Sequence, residues 1–262
     1  MSTREDIAFL VGSECRVETL RALDEESLRP SRLAERVSCA RETAHRNLSG
    51  FVERSWVRKH NGPYELTTAG RMVLDRYDDL ERTVENADRL TVFLENIGRI
   101  TDRIDPEQLA EQTVTTSTPE QPHAPIERWL DIVDGVVDEY YGIAPIVSRV
   151  FNEAAEQAIG EETLMELVID QSVLEASREQ FPDAFELALE LDQFTLWISP
   201  IDIDFGLAIS DGYVWLAAYD DLGNVVASVD GDDDAFVEWA HEIYEAHRDR
   251  SRRAERQNVS LS

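Results

Sequence analysis

Through the first ninety-odd residues, apolar positions return every three or four places, and each return predicts a helix with one buried face. Val17, Leu20 and Leu23 share a face of a helix that Ser13 can cap and that runs to about Asp24. Pro30 and Ser31 open a short helix with Leu33, Ala34 and Val37 inward, and Ser38, Cys39 and Ala40 make a tight turn. A third helix then runs to about Arg54, with Ala44, Leu48, Phe51 and Val52 on its apolar stripe. Next, Trp56 to His60 and Pro63 to Leu66 read as two short strands around Asn61-Gly62, a type I′ hairpin signal. Helix, helix, turn, helix, hairpin is the order of a winged helix-turn-helix.

A longer helix follows, capped by Thr67 or Thr68, with Val73, Tyr77, Leu80, Val84, Ala87 and Leu94 at intervals of 4, 3, 4, 3 and 7. A heptad stripe on a helix leaving a DNA-binding module predicts a homodimer held along residues 69–97. Residues 98–125 are polar and hold Pro119, Pro122 and Pro125, which reads as a connector. Beyond it the period alternates. Helices from Ile126 to about Asp134, Ser148 to Ile159, Ser172 to Leu191 (broken at Pro182) and Asp232 to about Arg250 alternate with strands at Tyr140 to Val147 and Thr163 to Ile169. Four more strands, Phe194 to Ser199, Phe205 to Ser210, Tyr213 to Tyr219 and Val225 to Val229, form a meander with a hairpin at Asp211-Gly212. Such alternation predicts a mixed sheet with helices, so the chain as a whole reads as α+β, a winged helix (1–68) ahead of an α/β domain (126–262).

Charge divides the same way. Residues 1–82 carry 14 Lys and Arg against 15 Asp and Glu, whereas the remaining 180 residues carry −28 of the net −29. Arg29 to His60 holds eight basic residues against three acidic ones, a local +5 where a polyanion can dock. The acidic excess is spread through periodic segments, which predicts a solvated folded surface rather than disorder. Lys59 is the one lysine beside 24 arginines, and with so many surface carboxylates this predicts a protein of a salt-filled cytoplasm. The longest uncharged apolar runs are eight residues, and no signal peptide is seen, so a cytoplasmic protein with no membrane contact is expected. Cys15 and Cys39 fall at apolar positions and are expected as buried, reduced thiols, with a redox-sensing pair as the alternative.

In a helix-turn-helix the third helix enters the major groove. With Ala44 and Leu48 inward, Arg41, Glu42, Thr43, His45, Arg46 and Asn47 are expected to face outward. Arg41, Arg46 and Asn47 are the candidates for base readout, because Arg pairs bidentately with guanine and Asn with adenine. Arg58, Lys59, His60 and Asn61 form the tip of the wing and are expected along the phosphate backbone or the minor groove. Trp129, Tyr140, Tyr141, Trp197 and Trp215 are the candidate lining of a pocket for a small organic effector. His123, His241 and His247 share no ligand spacing, Asp230 to Asp234 lack the glycine and glutamate of a calcium loop, and no Ser or Cys sits in a nucleophile motif. No metal, cofactor or catalytic site is therefore expected, and an enzyme on the second domain is the less favoured class.

The stretches Arg41-Glu42-Thr43-Ala44-His45-Arg46-Asn47-Leu48, Glu53-Arg54-Ser55-Trp56-Val57 and Tyr64-Glu65-Leu66-Thr67-Thr68-Ala69-Gly70 resemble the archaeal winged-helix transcription regulators. From Ala124 onward the chain is similar to the ligand-sensing domain named after the methanogenesis and filament regulator of methanogens, common in haloarchaeal regulators. That similarity rests on Ala124-Pro125-Ile126, Gly206-Leu207-Ala208-Ile209-Ser210-Asp211-Gly212 and Val237-Glu238-Trp239-Ala240. The resemblance implies a one-component regulator with a DNA reader in front and an effector sensor behind. One departure stands out: Ala40 occupies the place where those proteins carry a Ser or Thr cap.

Overall fold

The computed structural model describes residues 2–104, 106–133 and 135–254, and it divides into two units, one up to Asn86 and one from Ala87 onward. The first begins with a helix absent from the sequence reading, α1 (Thr3–Val11). Ser2 and Glu5 close a capping box around its start: the Glu5 amide donates to the Ser2 hydroxyl at 3.3 Å and the Ser2 amide to the Glu5 carboxylate at 2.7 Å. Its Phe9 packs edge-on against Phe51 with ring centres 5.4 Å apart, which is why so short a helix holds. Then come α2 (Glu14–Glu25), α3 (Pro30–Arg36), α4 (Arg41–Glu53), β1 (Val57–Lys59) and β2 (Tyr64–Leu66). Ser13 takes the cap position of α2 without a side-chain bond to it.

Asn61 and Gly62 carry φ of 51° and 113°, the pair of positive values that a type I′ turn needs. Leu28 adds a bridge to Tyr64, so the wing has a third edge. The run Tyr64 to Gly70 gains a physical reason here. The Thr67 hydroxyl donates to the carbonyls of Ser55 and Trp56, at 2.7 and 3.0 Å, and accepts the Gly70 amide at 3.0 Å. A Cβ on Gly70 would lie 2.1 Å from the Trp56 carbonyl oxygen, so the signature glycine is a matter of close approach.

Helix α5 (Thr68–Asn96) spans the boundary between the units. Its early residues Val73, Leu74 and Tyr77 pack into the first core, and Leu90, Phe93 and Leu94, with Ile97 just past its end, into the second. The heptad stripe is therefore split. Val73, Tyr77 and Leu94 serve cores within the chain, a correction to their placement at a dimer seam, while Leu80, Val84 and Ala87 are exposed.

After a short 3-10 turn (Gly98–Arg103), the second unit contains α6 (Pro106–Ala110), β3 (Thr113–Thr116), α7 (Ala124–Ile132) and β4 (Val137–Ala144). It continues with α8 (Arg149–Ala158), β5 (Ile159–Asp170), α9 (Gln171–Gln180), α10 (Pro182–Ala188), β6 (Phe194–Ser199) and β7 (Phe205–Ser210). It closes with β8 (Tyr213–Tyr219), β9 (Val225–Gly231), α11 (Asp234–Arg248) and β10 (Arg252–Arg253). The end of the Ile126 helix at Asp134 lies outside the described residues. Among those residues the strands form one sheet in the order β10-β6-β5-β4-β7-β8-β9-β3, parallel across β6-β5-β4 and antiparallel elsewhere. Part of 98–125 is thus not a connector. Thr113 to Thr116 pair with Asp230 to Ala227 of β9, because Thr-Val-Thr-Thr is a β-favouring run whose polar residues suit an edge strand.

Strand alternation sorts the two faces of this sheet. Leu207 and Ile209 on β7 and Val214, Leu216 and Ala218 on β8 meet Phe236, Ala240, Ile243 and Tyr244 of α11. Trp215, Ala217 and Ala208 turn the other way, toward Trp129 of α7 and Ala154 of α8. Leu196 and Ile198 of β6 and Ile169 of β5 share that second face with Val173 and Leu174 of α9. The result is a helix-sheet-helix sandwich.

Candidate functional site

The turn Ser38-Cys39-Ala40 aims α4 at solvent, with Ser38 at a φ of 49°. Ala40 holds the cap position and gives no side-chain bond, as its methyl group dictates. Along α4, Arg41, Glu42, His45 and Arg46 are exposed and Thr43 is half-buried. Asn47 is not on that face. It is 1% exposed, its amide oxygen accepts from the Arg16 Nε at 3.4 Å, and its amide nitrogen lies 3.4 Å from the Cys15 sulfur. The reason lies in the periodicity: 44, 47, 48 and 51 make a complete i, i+3, i+4, i+7 stripe, and Asn47 falls on it. The same spacing turns Ser49 outward beside His45, a position the sequence reading passed over. Asn47→Ala is expected to lower the stability of the winged helix by about 1–3 kcal/mol, since the Arg16 partner loses its acceptor, with DNA sequence preference unchanged. Denaturant melts run beside a binding-site comparison check both halves.

The local +5 is not evenly available. Arg32 pairs with Glu35 and Arg36 with Glu25 and Glu26, and Arg58 pairs across the wing with Glu65. Arg54 is 90% removed from solvent, with its Nε 2.9 Å from Asp6 and its guanidinium stacked 3.8 Å from the centre of Phe9. Among the described residues, Arg29, Arg41, Arg46 and Lys59 make no ion pair; Arg29 reaches toward Gly62 of the wing, and Lys59 rests 5.7 Å above the Tyr64 ring. Uncompensated positive charge is therefore concentrated on the outer face of α4 and on the wing. His60 and Asn61 are exposed at the wing tip, within 3.1 Å of each other.

Cys15 and Cys39 are free and half-buried rather than fully buried as their apolar positions suggest, and the two thiols are neighbours. Burial, then the neighbouring Cys15, pushes the Cys39 thiol up to about 11. At neutral pH that thiol stays protonated and weakly nucleophilic.

The second unit contains a cavity of about 700 Å³ on the sheet face covered by α7 to α10. Trp129, Tyr140 and Trp215 line it; Tyr141 and Trp197 do not. Adjacent strand residues must point to opposite faces, so Tyr140 and Tyr141 never could have shared a pocket. Tyr141 packs instead against His241 and Tyr244 of α11, with ring centres 5.5 and 5.3 Å away. The Trp197 indole donates to Glu166 at 2.9 Å, on the same carboxylate oxygen that accepts the Tyr244 hydroxyl at 2.7 Å. Residues the sequence reading missed complete the lining, chief among them Phe151, Phe185, Gly206 and Tyr219. The alternation Trp215, Ala217, Tyr219 along β8 carried the signal for the last of these.

The acidic run after β9 is structural. Asp233 caps α11 through the amides of Ala235 and Phe236, and Asp230 is fully buried against Arg128 and Tyr213.

Residues 4–89 match the HVO_A0261 N-terminal domain, and residues 122–250 match the middle domain of the methanogenesis regulatory protein FilR1. The chain belongs to the archaeal transcription regulators. No curated protein matches this regulator in sequence. Among solved structures it is similar to TrmBL2, an archaeal chromatin protein, with 13% identity over 92% of this chain and 94% of that one and a TM-score of 0.43. An IclR homolog from Microbacterium sp. strain HM58-2 gives 13% identity, 89% and 94% coverage and a TM-score of 0.26. HmgR from Pseudomonas aeruginosa gives 18%, 90% and 96%, with a TM-score of 0.24. All three scores lie below that of a shared fold. No helix among the regulator's described residues is long and apolar enough to cross a membrane.

Proposed function

We propose that this regulator binds duplex DNA through the outer face of α4 and the wing, and that a small molecule held in the cavity of its second unit biases that binding. The observation that carries the first half is the placement of the unpaired cations. Arg41 and Arg46 are free to reach base edges, with Glu42, Thr43 and His45 beside them, while Arg58, Lys59, His60 and Asn61 serve the backbone or the minor groove. The acidic remainder of the surface repels phosphate, so the docking face is defined by exclusion as well as attraction. Fluorescence anisotropy with labelled genomic fragments in molar KCl tests this reading. Saturable binding to a subset of fragments supports it, and binding to none would overturn it.

Two copies are proposed to join along Leu80, Val84 and Ala87, the part of the heptad stripe left open to solvent, where Leu80 and Val84 are 55% and 54% exposed. Leu80→Glu combined with Val84→Glu is expected to give monomers by light scattering in molar KCl. A variant that stays dimeric places the interface elsewhere.

The protein is further proposed to work in a salt-filled cytoplasm. At molar salt the Debye length is about 3 Å, so long-range attraction and repulsion both fade and recognition falls to direct contact. Specific binding is then expected to fall with added KCl less steeply than the slope of about −0.9 per neutralised phosphate. A salt titration run beside circular dichroism checks it, and steep loss with the fold intact throughout would contradict it.

A further inference from the structure

The cavity of the second unit has a chemistry narrow enough to select its occupant. Its volume of about 700 Å³ lies within the usual range of small-molecule sites and far above a packing defect in a close-packed interior. Among the described residues no Lys, Arg or His lines it, and Glu156 is the one carboxylic acid in its wall. An anion would find no counter-charge there. A carboxylate or phosphate transferred into such a lining gives up its hydration with no opposite charge in exchange, and neutral hydroxyls offset that cost only in part.

What the cavity does offer is hydrogen-bond donors. The Trp129 indole neighbours the Tyr140 hydroxyl, and the Tyr219 hydroxyl lies near that of Tyr140. The Trp215 indole nitrogen is buried and has no partner among the described residues. The Trp129 N–H and the two phenol hydroxyls have two phenol oxygens between them, so within this group one hydroxyl is left without an acceptor. Burial pushes the Tyr140 and Tyr219 phenols far above their ordinary range, so they stay protonated and keep donating. Beside them, Gly206 makes room for the Tyr219 phenol itself: a Cβ there would come within 2.8 Å of its hydroxyl. Three other polar wall residues are engaged elsewhere. The Thr163 hydroxyl donates to the Val137 carbonyl at 2.6 Å, Ser177 to Val173 at 2.8 Å and Gln193 to Gly160 at 3.2 Å. A protonated phenol hydroxyl in a chamber that is mainly apolar and offers no cation asks for an acceptor oxygen on an uncharged body.

We infer that the cavity binds an uncharged, mainly apolar molecule bearing a ketone, ester or quinone oxygen, with that oxygen seated at the Tyr219 hydroxyl. This rests on the reading of the cavity as an effector site and adds the class of effector. The apolar body lies between Trp129, Phe151 and Phe185, and the oxygen accepts from the phenol hydroxyl.

Three naphthalenes of nearly one shape separate the terms: methyl 2-naphthoate, 2-naphthoate and 2-ethylnaphthalene. Binding to the full chain in molar KCl is read by quenching of tryptophan fluorescence, with circular dichroism to verify the fold. The ester is expected to bind at least tenfold more tightly than the carboxylate and about three- to tenfold more tightly than the hydrocarbon, the share of one neutral hydrogen bond. Tyr219→Phe, which removes one oxygen and leaves the packing, is expected to erase most of the preference for the ester over the hydrocarbon. Ala155→Trp, on the cavity wall, is expected to abolish binding of all three. Equal or tighter binding of the carboxylate, or an ester preference unchanged in the folded Tyr219→Phe protein, would overturn the inference and leave the effector reading standing. If none of the three binds the folded wild type, or if folded Ala155→Trp binds them as the wild type does, the reading of the cavity as an effector site falls with it.

Discussion

Arg46→Ala is expected to weaken binding to a specific DNA site by about 5- to 150-fold, the range spanned by about 1–3 kcal/mol for one good arginine contact to a base. Binding to random duplex is expected to change by no more than about threefold. The asymmetry follows from position. Arg46 is exposed on the outer face of α4, one residue before buried Asn47 and two before buried Leu48, and no carboxylate among the described residues neutralises it. Lys59→Ala is the natural contrast. A wing-tip ammonium over Tyr64 would serve the backbone, so its loss should weaken all sequences alike and lower the salt slope by about one. Equal loss on specific and random DNA for Arg46→Ala would remove it from the reading face.

Arg128→Met is expected to destabilise the second unit by about 3 kcal/mol, a drop in Tm on the order of 10 °C for a unit of this size. Asp230 is fully buried on β9, and Arg128 reaches it from α7 with Nε at 3.0 Å and one Nη at 2.6 Å. The Tyr213 hydroxyl gives the same carboxylate oxygen a third bond at 2.7 Å, while the other oxygen has no partner among the described residues. Removing the guanidinium strands a carboxylate in the sheet with one hydroxyl for company. The cost stays near the bottom of the range for buried pairs because the Arg128 side chain keeps 34% of its surface in water and Tyr213 remains. Arg128→Met combined with Asp230→Asn should recover much of the loss, since no charge is then left uncompensated. Thermal melts of the two variants and the parent chain read the difference directly. A double variant no more stable than Arg128→Met would show that the damage is packing rather than charge.

How far the residues alone led is clearest at particular places. The strands Phe194–Ser199, Phe205–Ser210 and Tyr213–Tyr219 match the structure residue for residue, because each is a dense apolar run closed by a turn signal. The order of helices and hairpin in the first unit was legible from periodicity and from Asn61-Gly62. Two kinds of residue were not. Asn47 was placed by its chemistry, which suits adenine, when its place in the 44, 47, 48, 51 stripe had already buried it. Thr113 to Thr116 were placed by the prolines that follow them, and only pairing with β9, more than a hundred residues away, reveals them as an edge strand. The five aromatics proposed for a pocket divide three to two between the faces of the sheet. That division follows from strand parity, and parity becomes usable only once the strand limits are known. Capping accounts for the helix at the start of the chain: Ser2 and Glu5 form a capping box, and Phe9 needs Phe51 to rest on.

DNA reading by α4 and the wing is decided by repeated selection from a random duplex library by the full chain in molar KCl, followed by the same selection with Arg46→Ala. The expected outcome is enrichment of one two-fold-symmetric site with half-sites about one helical turn apart or a multiple of it, and loss of preference at one position in each half-site for the variant. No enrichment by a chain whose circular dichroism shows it folded, or an identical enriched site for both proteins, would contradict it.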